Sequence, residues 1–513
     1  MTARKGLPLF QKLLIANRGE IALRIMRTCR DLGIRTVAVY SEADTTALHA
    51  RYADEAYCIG PAPAAESYLN AARIIETALA CGAEAVHPGY GFLSEQAAFA
   101  QACEDAGLVF VGPSPKTLQM LGDKVEARRI AQAAGVPTVP GSPGRVSPDE
   151  ARRLAGRVGF PLLIKAAAGG GGKGIRLVER EADLDRALRT AAAEAQAGFG
   201  DDGVYIERYL DPVRHVEVQV IADRHGNTLH LGERECSVQR RSQKLIEESP
   251  STAVDIGLRR RLGEAAVAIA RESAYANAGT VEFLLDREGN FYFVEANARL
   301  QVEHPVTELV TGLDMVREQL RVASGEPLGF TQEDVSLKGW AIECRITAED
   351  AERGFMPSLG RVEHLSHPAG PGIRVDSALF PGWEIGPHYD SLLAKLCAWG
   401  ETRGEALARM RRALDECAIS GVQTTLPFHR QVFQDPAFQA GEIDTRFLER
   451  RAFPARASGG SEREALIAAA VVAHERRRRK APAQPGAAAS PWKQAGLRAA
   501  TQRVGGRSWR STF

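Results

Sequence analysis

Over roughly its first 120 residues the chain alternates short apolar runs with amphipathic stretches, and this alternation constrains the fold more than any other feature. Leu13–Ala16 reads as a strand, and Asn17-Arg18-Gly19-Glu20 turns it into a helix near Ile21–Leu32. Thr36–Tyr40 is a second strand. Ala85–His87 and Val109–Gly112 repeat the pattern, with helices near Leu69–Leu79 and Glu95–Ala106 between them. Strands joined by helices cannot pair as hairpins; such crossovers force parallel pairing with helices on both faces. The expectation is an α/β chain opening with a parallel-sheet domain over residues 1–122.

The rest of the chain changes character. A helix around Lys124–Ala134 leads into a loop marked by Pro137, Pro140, Gly141, Pro143 and Gly144. Pro161–Ala166 is a strand that runs into Gly169-Gly170-Gly171-Gly172-Lys173-Gly174. His215–Ala222 alternates and meets a turn signal, His225-Gly226-Asn227; Thr280–Leu285 and Phe291–Val294 flank another. A further α+β stretch runs from Trp340 to Leu448. After Phe453, Ser458-Gly459-Gly460 reads as a linker, followed by an Ala-rich helix ending near Arg479. Trp492 and Trp509 then stand among basic residues.

Charge separates these parts. Lys+Arg is 65 and Asp+Glu 64, for a net +1. Glu475–Phe513 holds ten Lys/Arg and one acid, a balance of +9, which leaves 55 against 63 elsewhere, or −8. A generally basic nucleic-acid binder is excluded. The eight cysteines contain no C-x-x-C, which argues against a zinc ribbon and for reduced thiols. No apolar run reaches about 18 residues and no cleavable leader is evident, so a cytoplasmic protein outside the membrane is expected.

Several motifs carry chemistry. The glycine run follows a strand containing Lys165; it suits a mobile phosphate lid, with a flexible linker as the alternative. Lys173 is followed by Gly174, so the G-K-[ST] phosphate loop fails. Pairing Glu282 with Glu295 across a hairpin, with Glu288-Gly289 as a two-residue turn, sets both carboxylates on one face. Two close carboxylates repel unless a cation or a proton joins them, and hard oxygen ligands suit Mg²⁺ or Mn²⁺; the alternative is an exposed acidic pair on a sheet edge. Beyond them Glu295, Asn297, Arg299, Gln301 and Glu303 recur at every second position, which on extended backbone gives one polar face. Arg240, Arg241 and Lys244 concentrate three cations in five residues, suited to a polyanion or simply solvated. His215 is either a phosphate donor or a satisfied structural histidine.

Together these residues resemble biotin carboxylase, the ATP-grasp component of biotin-dependent carboxylases. The resemblance runs from about residue 10 to 450 through Ile15–Ala22, His87–Glu95, the glycine run, Arg214–Glu217, Gln239–Lys244 and Gln301–Pro305. It implies an ATP-grasp domain at 123–330 with a lid at about 139–212, a C-terminal biotin carboxylase domain at 331–453, and a basic extension at 454–513, a docking element or a disordered tail. It further implies that ATP and bicarbonate form carboxyphosphate, whose CO₂ passes to the ureido nitrogen of biotin. By motif position Lys124, Lys165, Gly171, Gly172, Glu207, Arg208, Tyr209, Leu210, His215 and Gln239 fall on the nucleotide. Glu282, Glu295 and Asn297 fall on the metal; Lys244, Arg299, Gln301 and Val302 on bicarbonate. Glu303 is the implied base, Arg345 the implied stabiliser of the biotin enolate, and Tyr90 an implied wall of the biotin pocket.

The sequence departs from the family at Ser242, where histidine is common, and at Ala296 and Ala298, which replace bulkier residues and are expected to face away from the site. No M-K-M biotinylation motif occurs, so biotin is expected on a separate carrier protein, with a carboxyltransferase as further partner and a homodimer as the assembly. The resemblance suits an acetyl-CoA or propionyl-CoA carboxylase. The alternatives are a two-subunit pyruvate carboxylase, another ATP-grasp carboxylate–amine ligase, or a nucleotide-binding assembly component without activity.

Overall fold

The structure, a computed structural model, describes residues 9–166, 175–199, 203–451, 453, 469–472 and 474. The glycine run with Gly171 and Gly172, the linker and the basic tail lie outside the described residues.

The first sheet is parallel throughout, in the order β3 (Glu55–Gly60), β2 (Arg35–Ser41), β1 (Lys12–Ile15), β4 (Ala85–His87), β5 (Val109–Phe110). Sequence reading missed β3, an edge strand on which only Ile59 is buried while Ala56, Tyr57 and Cys58 are exposed. Chain order reverses between β1 and β4, and α/β sheets place ligands at such a switch point. The two loops there carry the Asn17–Glu20 and Pro88–Glu95 motifs. Asn17 Nδ2 donates to the carbonyls of Pro88 at 2.7 Å and Tyr90 at 2.8 Å. Gly89, at φ +63°, is required: a Cβ there would lie 2.9 Å from Asn17 Nδ2.

A small antiparallel sheet follows, with β6 (Leu162–Ala166) between β7 (Ile175–Val178) and β8 (Val204–Arg208). It packs its own core against the Pro148–Val158 and Leu184–Phe199 helices, with Ala151, Leu162, Ile164, Leu188 and Ile206 inside. Ser147 and Glu150 form a capping box at the start of the first helix.

The large sheet is antiparallel and eight-stranded. Its order is β13 (Phe291–Asn297), β12 (Asn277–Leu285), β9 (Arg214–Ala222), β10 (Thr228–Arg240), β11 (Gln243–Ser249), β14 (Trp340–Thr347), then the Leu392–Gly400 and Ile373–Ser377 strands. It therefore continues without a break across position 330/331. The Ile256–Glu272 helix, capped by Asp255, packs on β9 and β10, and the His304–Thr311 helix lies against β10, β14 and the Leu392–Gly400 strand.

The β12–β13 hairpin differs from expectation in its turn. Glu282 does pair with Glu295, but the register then shifts, so that Phe283 faces Phe293 and Leu285 faces Phe291. Asp286, not Arg287, closes the turn opposite Asn290. The cause is the Asp286 carboxylate, which accepts from the backbone N–H of Glu288 at 3.0 Å and of Asn290 at 2.8 Å. Val294 absorbs the resulting extra residue as a bulge next to the carboxylate pair.

Among the described residues no helix is long and apolar enough to cross a membrane. All eight cysteines are free thiols, seven of them buried.

Candidate active site

The strands of the large sheet bring acids and bases together by register. Glu295 faces Glu282, Glu282 faces Glu217, and Glu217 faces Arg234. Alternation along β9 puts His215, Glu217 and Gln219 on that face and Val216, Val218 and Val220 on the core side. Lys244 enters from β11. Its ammonium meets Glu217 Oε2 at 2.5 Å, Glu303 Oε1 at 2.7 Å and Glu282 Oε1 at 2.9 Å.

Each of those carboxylates has a second cation. Arg234, fully buried, donates to Glu217 Oε1 at 2.5 Å and also holds Gln219, Thr280 and Thr307. His215 Nε2 lies 2.9 Å from Glu282 Oε2. Arg345 Nη2 donates to Glu303 Oε2 at 2.9 Å, while its Nε holds Glu247 at 2.6 Å. Burial alone would raise the Glu303 pKa. Lys244, Arg345 and Arg234 reverse that and hold the carboxyl well below its usual range. Burial likewise opposes charge on His215, and Glu282 outweighs it, so the imidazole sits above its ordinary pKa. Lys244, despite full burial, is held well above the usual lysine value by Glu217, Glu282 and Glu303.

The polar row after Glu295 is extended only as far as Asn297, where β13 ends. From Ala298 the backbone leaves the sheet, because Leu300 turns into the core and Glu303 becomes the cap of the His304–Thr311 helix. The expectation of one strand through Glu303 is thus corrected. The side chains still converge, through Arg299: its guanidinium donates to Asn297 Oδ1 at 3.2 Å, Gln301 Oε1 at 3.1 Å and Glu95 Oε2 at 2.7 Å. Ala298 is buried in the core and Ala296 half-buried against it, away from the site as expected.

On the nucleotide side Lys165 Nζ donates to Glu207 Oε2 at 2.5 Å, and Arg128 pairs with the other oxygen of that carboxylate. The backbone N–H groups of Arg208 and Tyr209 are used by the carbonyls of Pro140 and Pro161. Lys124 opens the Lys124–Ala133 helix with its ammonium 3.3 Å from Glu295 Oε2. Leu210 follows β8. Gln239 pairs with Lys244 in register, next to the Arg241-Ser242 turn, where φ is +49° and +63°. Of the basic stretch only Lys244 enters the polar cluster. Arg240 lies over the Phe355 ring at 4.5 Å, and Arg241 and Ser242 are exposed. Tyr90 donates its hydroxyl to Glu20.

Sequence reasoning gave no role to Glu217, Arg234, Glu95, Arg128 or Glu247. Glu217 had a signal, the alternation of Arg214–Ala222. Arg234 had none, because its partners come from three separate segments.

The cluster fits a divalent cation at Glu282 and Glu295. They are hard oxygen donors paired on one face, which could hold such an ion; Glu282 is meanwhile compensated by His215, Lys244 and Asn297 Nδ2 at 3.0 Å, contacts that the ion would exchange with. His215, Glu217 and Glu282 also offer ligand atoms within 4.8 Å of one another, with the Lys244 ammonium on both carboxylates.

A parallel-sheet domain, a small separately packed sheet carrying a lysine, and a large antiparallel sheet with buried cations and carboxylates define an ATP-grasp enzyme. Comparison with known sequences narrows the class. The profile "Biotin carboxylase, N-terminal domain" matches residues 9–118, "Carbamoyl-phosphate synthase L chain, ATP binding domain" residues 123–331, and "Biotin carboxylase C-terminal domain" residues 343–450. Biotin carboxylase 1 of Bacillus subtilis is 54% identical over 443 residues, 86% of this chain and 98% of the relative. A crystal structure of the biotin carboxylase domain dimer of Hydrogenobacter thermophilus 2-oxoglutarate carboxylase, with MgADP, ADP and bicarbonate, matches with a TM-score of 0.84 and 49% identity over 86% of this chain and 97% of that one. A crystal structure of the biotin carboxylase subunit of pyruvate carboxylase matches with a TM-score of 0.74 and 49% identity over 86% of this chain and 98% of that one. The chain belongs to the biotin carboxylase family.

Proposed function

We propose that the chain carboxylates biotin on a separate carrier protein, using ATP and bicarbonate. The observation that carries this reading is the Lys244 ammonium joined to Glu217, Glu282 and Glu303. Glu303 is buried yet kept ionised, so it accepts the proton of bicarbonate. Lys244 and the Arg299 fork orient the bicarbonate oxygens, with Gln301 and Val302 beside them. A bicarbonate oxygen then bonds to the γ-phosphorus of ATP, the bond to the β–γ bridging oxygen breaks, and ADP leaves. Carboxyphosphate then splits into CO₂ and phosphate, the phosphate takes the ureido N–H proton of biotin, and the nitrogen bonds to the CO₂ carbon; Arg345 faces the ureido oxygen that carries the enolate charge. Glu282 and Glu295, with Asn297, would hold Mg²⁺ or Mn²⁺, which neutralises phosphate charge in such transfers. Lys124, Lys165, Glu207, Arg208, Tyr209, Leu210, His215 and Gln239 serve the nucleotide, as do Gly171 and Gly172 by motif position, and Tyr90 lines the biotin pocket.

The domain limits proposed are 1–122, 123–330 and 331–453, and the assembly a homodimer in the cytoplasm, working with a biotin carboxyl carrier protein and a carboxyltransferase. The transferase of an acyl-CoA carboxylase is the proposed next step. Pyruvate and 2-oxoglutarate are the competing acceptors, from the names of two similar structures. ATP cleavage by the purified chain should require both bicarbonate and free biotin. Cleavage independent of both, or none at all, would refute the reading. Adding carrier, transferase and each acceptor in turn then separates the three acceptors.

A further inference from the structure

Lys395 lies on the Leu392–Gly400 strand, opposite Arg345, and is fully buried. Its ammonium is 3.1 Å from Glu20 Oε2, 3.1 Å from the Val302 carbonyl and 3.8 Å from Asp376 Oδ2. The Tyr90 ring lies 5.9 Å from the same nitrogen, and Tyr90 donates its hydroxyl to the other oxygen of Glu20. Burial works against charge on Lys395, and Glu20 and Asp376 outweigh it.

We propose that Lys395 is a positioning residue: it fixes the Val302 carbonyl and, through Glu20, the Tyr90 hydroxyl, so that one buried ammonium sets the bicarbonate turn and the biotin pocket together. The inference rests on the roles proposed above for Gln301–Glu303 and Tyr90. Its force comes from where the third donor goes. A lysine buried only to balance charge needs acids; this one spends a hydrogen bond on a backbone carbonyl between Gln301 and Glu303. That turn needs holding. Residues 298–303 lie outside any strand, and the hydrogen bonds that reach their backbone from outside the segment and its helix come, among the described residues, from side chains: Glu95 on the Ala298 N–H at 3.1 Å, and Lys395 on the Val302 carbonyl. A displaced turn moves the Glu303 carboxylate, and sub-ångström placement matters for proton transfer.

The test is Lys395→Met in the full chain, with kinetics of ATP cleavage in bicarbonate and free biotin. Loss of the ammonium is survivable by the fold: Asp376 keeps Arg374 at 2.7 Å, and the Glu20 carboxyl, already above its usual pKa through burial, takes up a proton. A charge-assisted hydrogen bond at a buried site corresponds to a roughly ten- to hundredfold effect. The KM for bicarbonate and for biotin should both rise by about that factor while the KM for ATP stays near that of the parent, even though the thermal midpoint falls as Glu20 and Asp376 lose a buried partner. Unchanged bicarbonate and biotin KM in a folded Lys395→Met chain overturns the proposal. If that variant does not fold, Glu20→Gln decides: it keeps the Lys395–Val302 bond but weakens the link to Tyr90, so biotin KM should rise with bicarbonate KM held. Equal KM values for Glu20→Gln and parent would overturn the coupling. A parent enzyme with no bicarbonate- and biotin-dependent cleavage would instead defeat the functional reading itself.

Discussion

Lys244 and Lys165 are both nearly buried lysines set against carboxylates, and they are held in opposite ways. Lys244 is gripped by Glu217, Glu282 and Glu303, from two strands and a helix cap around the large sheet. Among the described residues Lys165 has one carboxylate, Glu207, on the neighbouring strand of the small sheet, and Arg128 from the Lys124–Ala133 helix shares it. The first arrangement fixes a charge in three directions and suits proton abstraction, where geometry must be set before substrate arrives. The second leaves the ammonium one protein partner to exchange for a phosphate. The chemistry end of the site is over-determined, and the nucleotide end is easily re-paired.

Lys244→Met should break this contrast most severely. Removing the shared cation leaves three buried acids short of charge, which costs about 3–5 kcal/mol of stability. Turnover should fall by more than about 10³, whereas Lys165→Met should act chiefly on the KM for ATP. Denaturant melts with steady-state kinetics check both, and matching kinetic losses in the two variants would remove the distinction.

Arg299→Ala should lower turnover by about 10²–10³ with nucleotide affinity kept, because its fork contacts Asn297, Gln301 and Glu95 rather than the small sheet that carries Lys165. Isothermal titration with ADP beside the rate measurement shows whether the loss is confined to the chemistry end.

Glu295→Gln should weaken Mg²⁺ support of ATP cleavage by about tenfold, through one lost negative ligand. Superimposable Mg²⁺ titrations of variant and parent would exclude the paired-carboxylate site.

The last effect is on stability rather than on rate and concerns Glu247 behind Arg345. Burial, with Glu303 nearby, overrides Arg345 and raises its pKa from 4.5 to about 7. Between those values the unfolded chain has released a proton that the folded chain still holds. Stability from this group therefore falls as pH rises, by up to about 1.4 kcal/mol per pH unit. Glu247→Gln should flatten the stability curve between pH 5 and 7; parallel curves would contradict it.

Legibility in the sequence followed the range of the signal. The Glu282–Glu295 pair could be found because hairpin register is local, and the turn was misjudged because Asp286 competes for its backbone N–H groups. Period two brought Glu295 to Glu303 into one group, although the strand stops at Asn297. There a core demand, Leu300, overrides local alternation. Arg234 and Glu95 were unreadable for a different reason. Arg234 gathers residues from β9, β12 and the His304–Thr311 helix, and Glu95 reaches Arg299 from a different sheet's loop. Only the folded topology supplies such partners.

In the proposed reaction Glu303, kept ionised by Lys244 and Arg345, takes the proton of bicarbonate. Glu303→Gln preserves shape and hydrogen-bonding capacity and removes the base. Biotin-dependent ATP cleavage by this variant should fall by about 10²–10⁴ with ADP affinity retained, and the loss should persist across neutral pH. Cleavage within a few-fold of the parent would contradict the account.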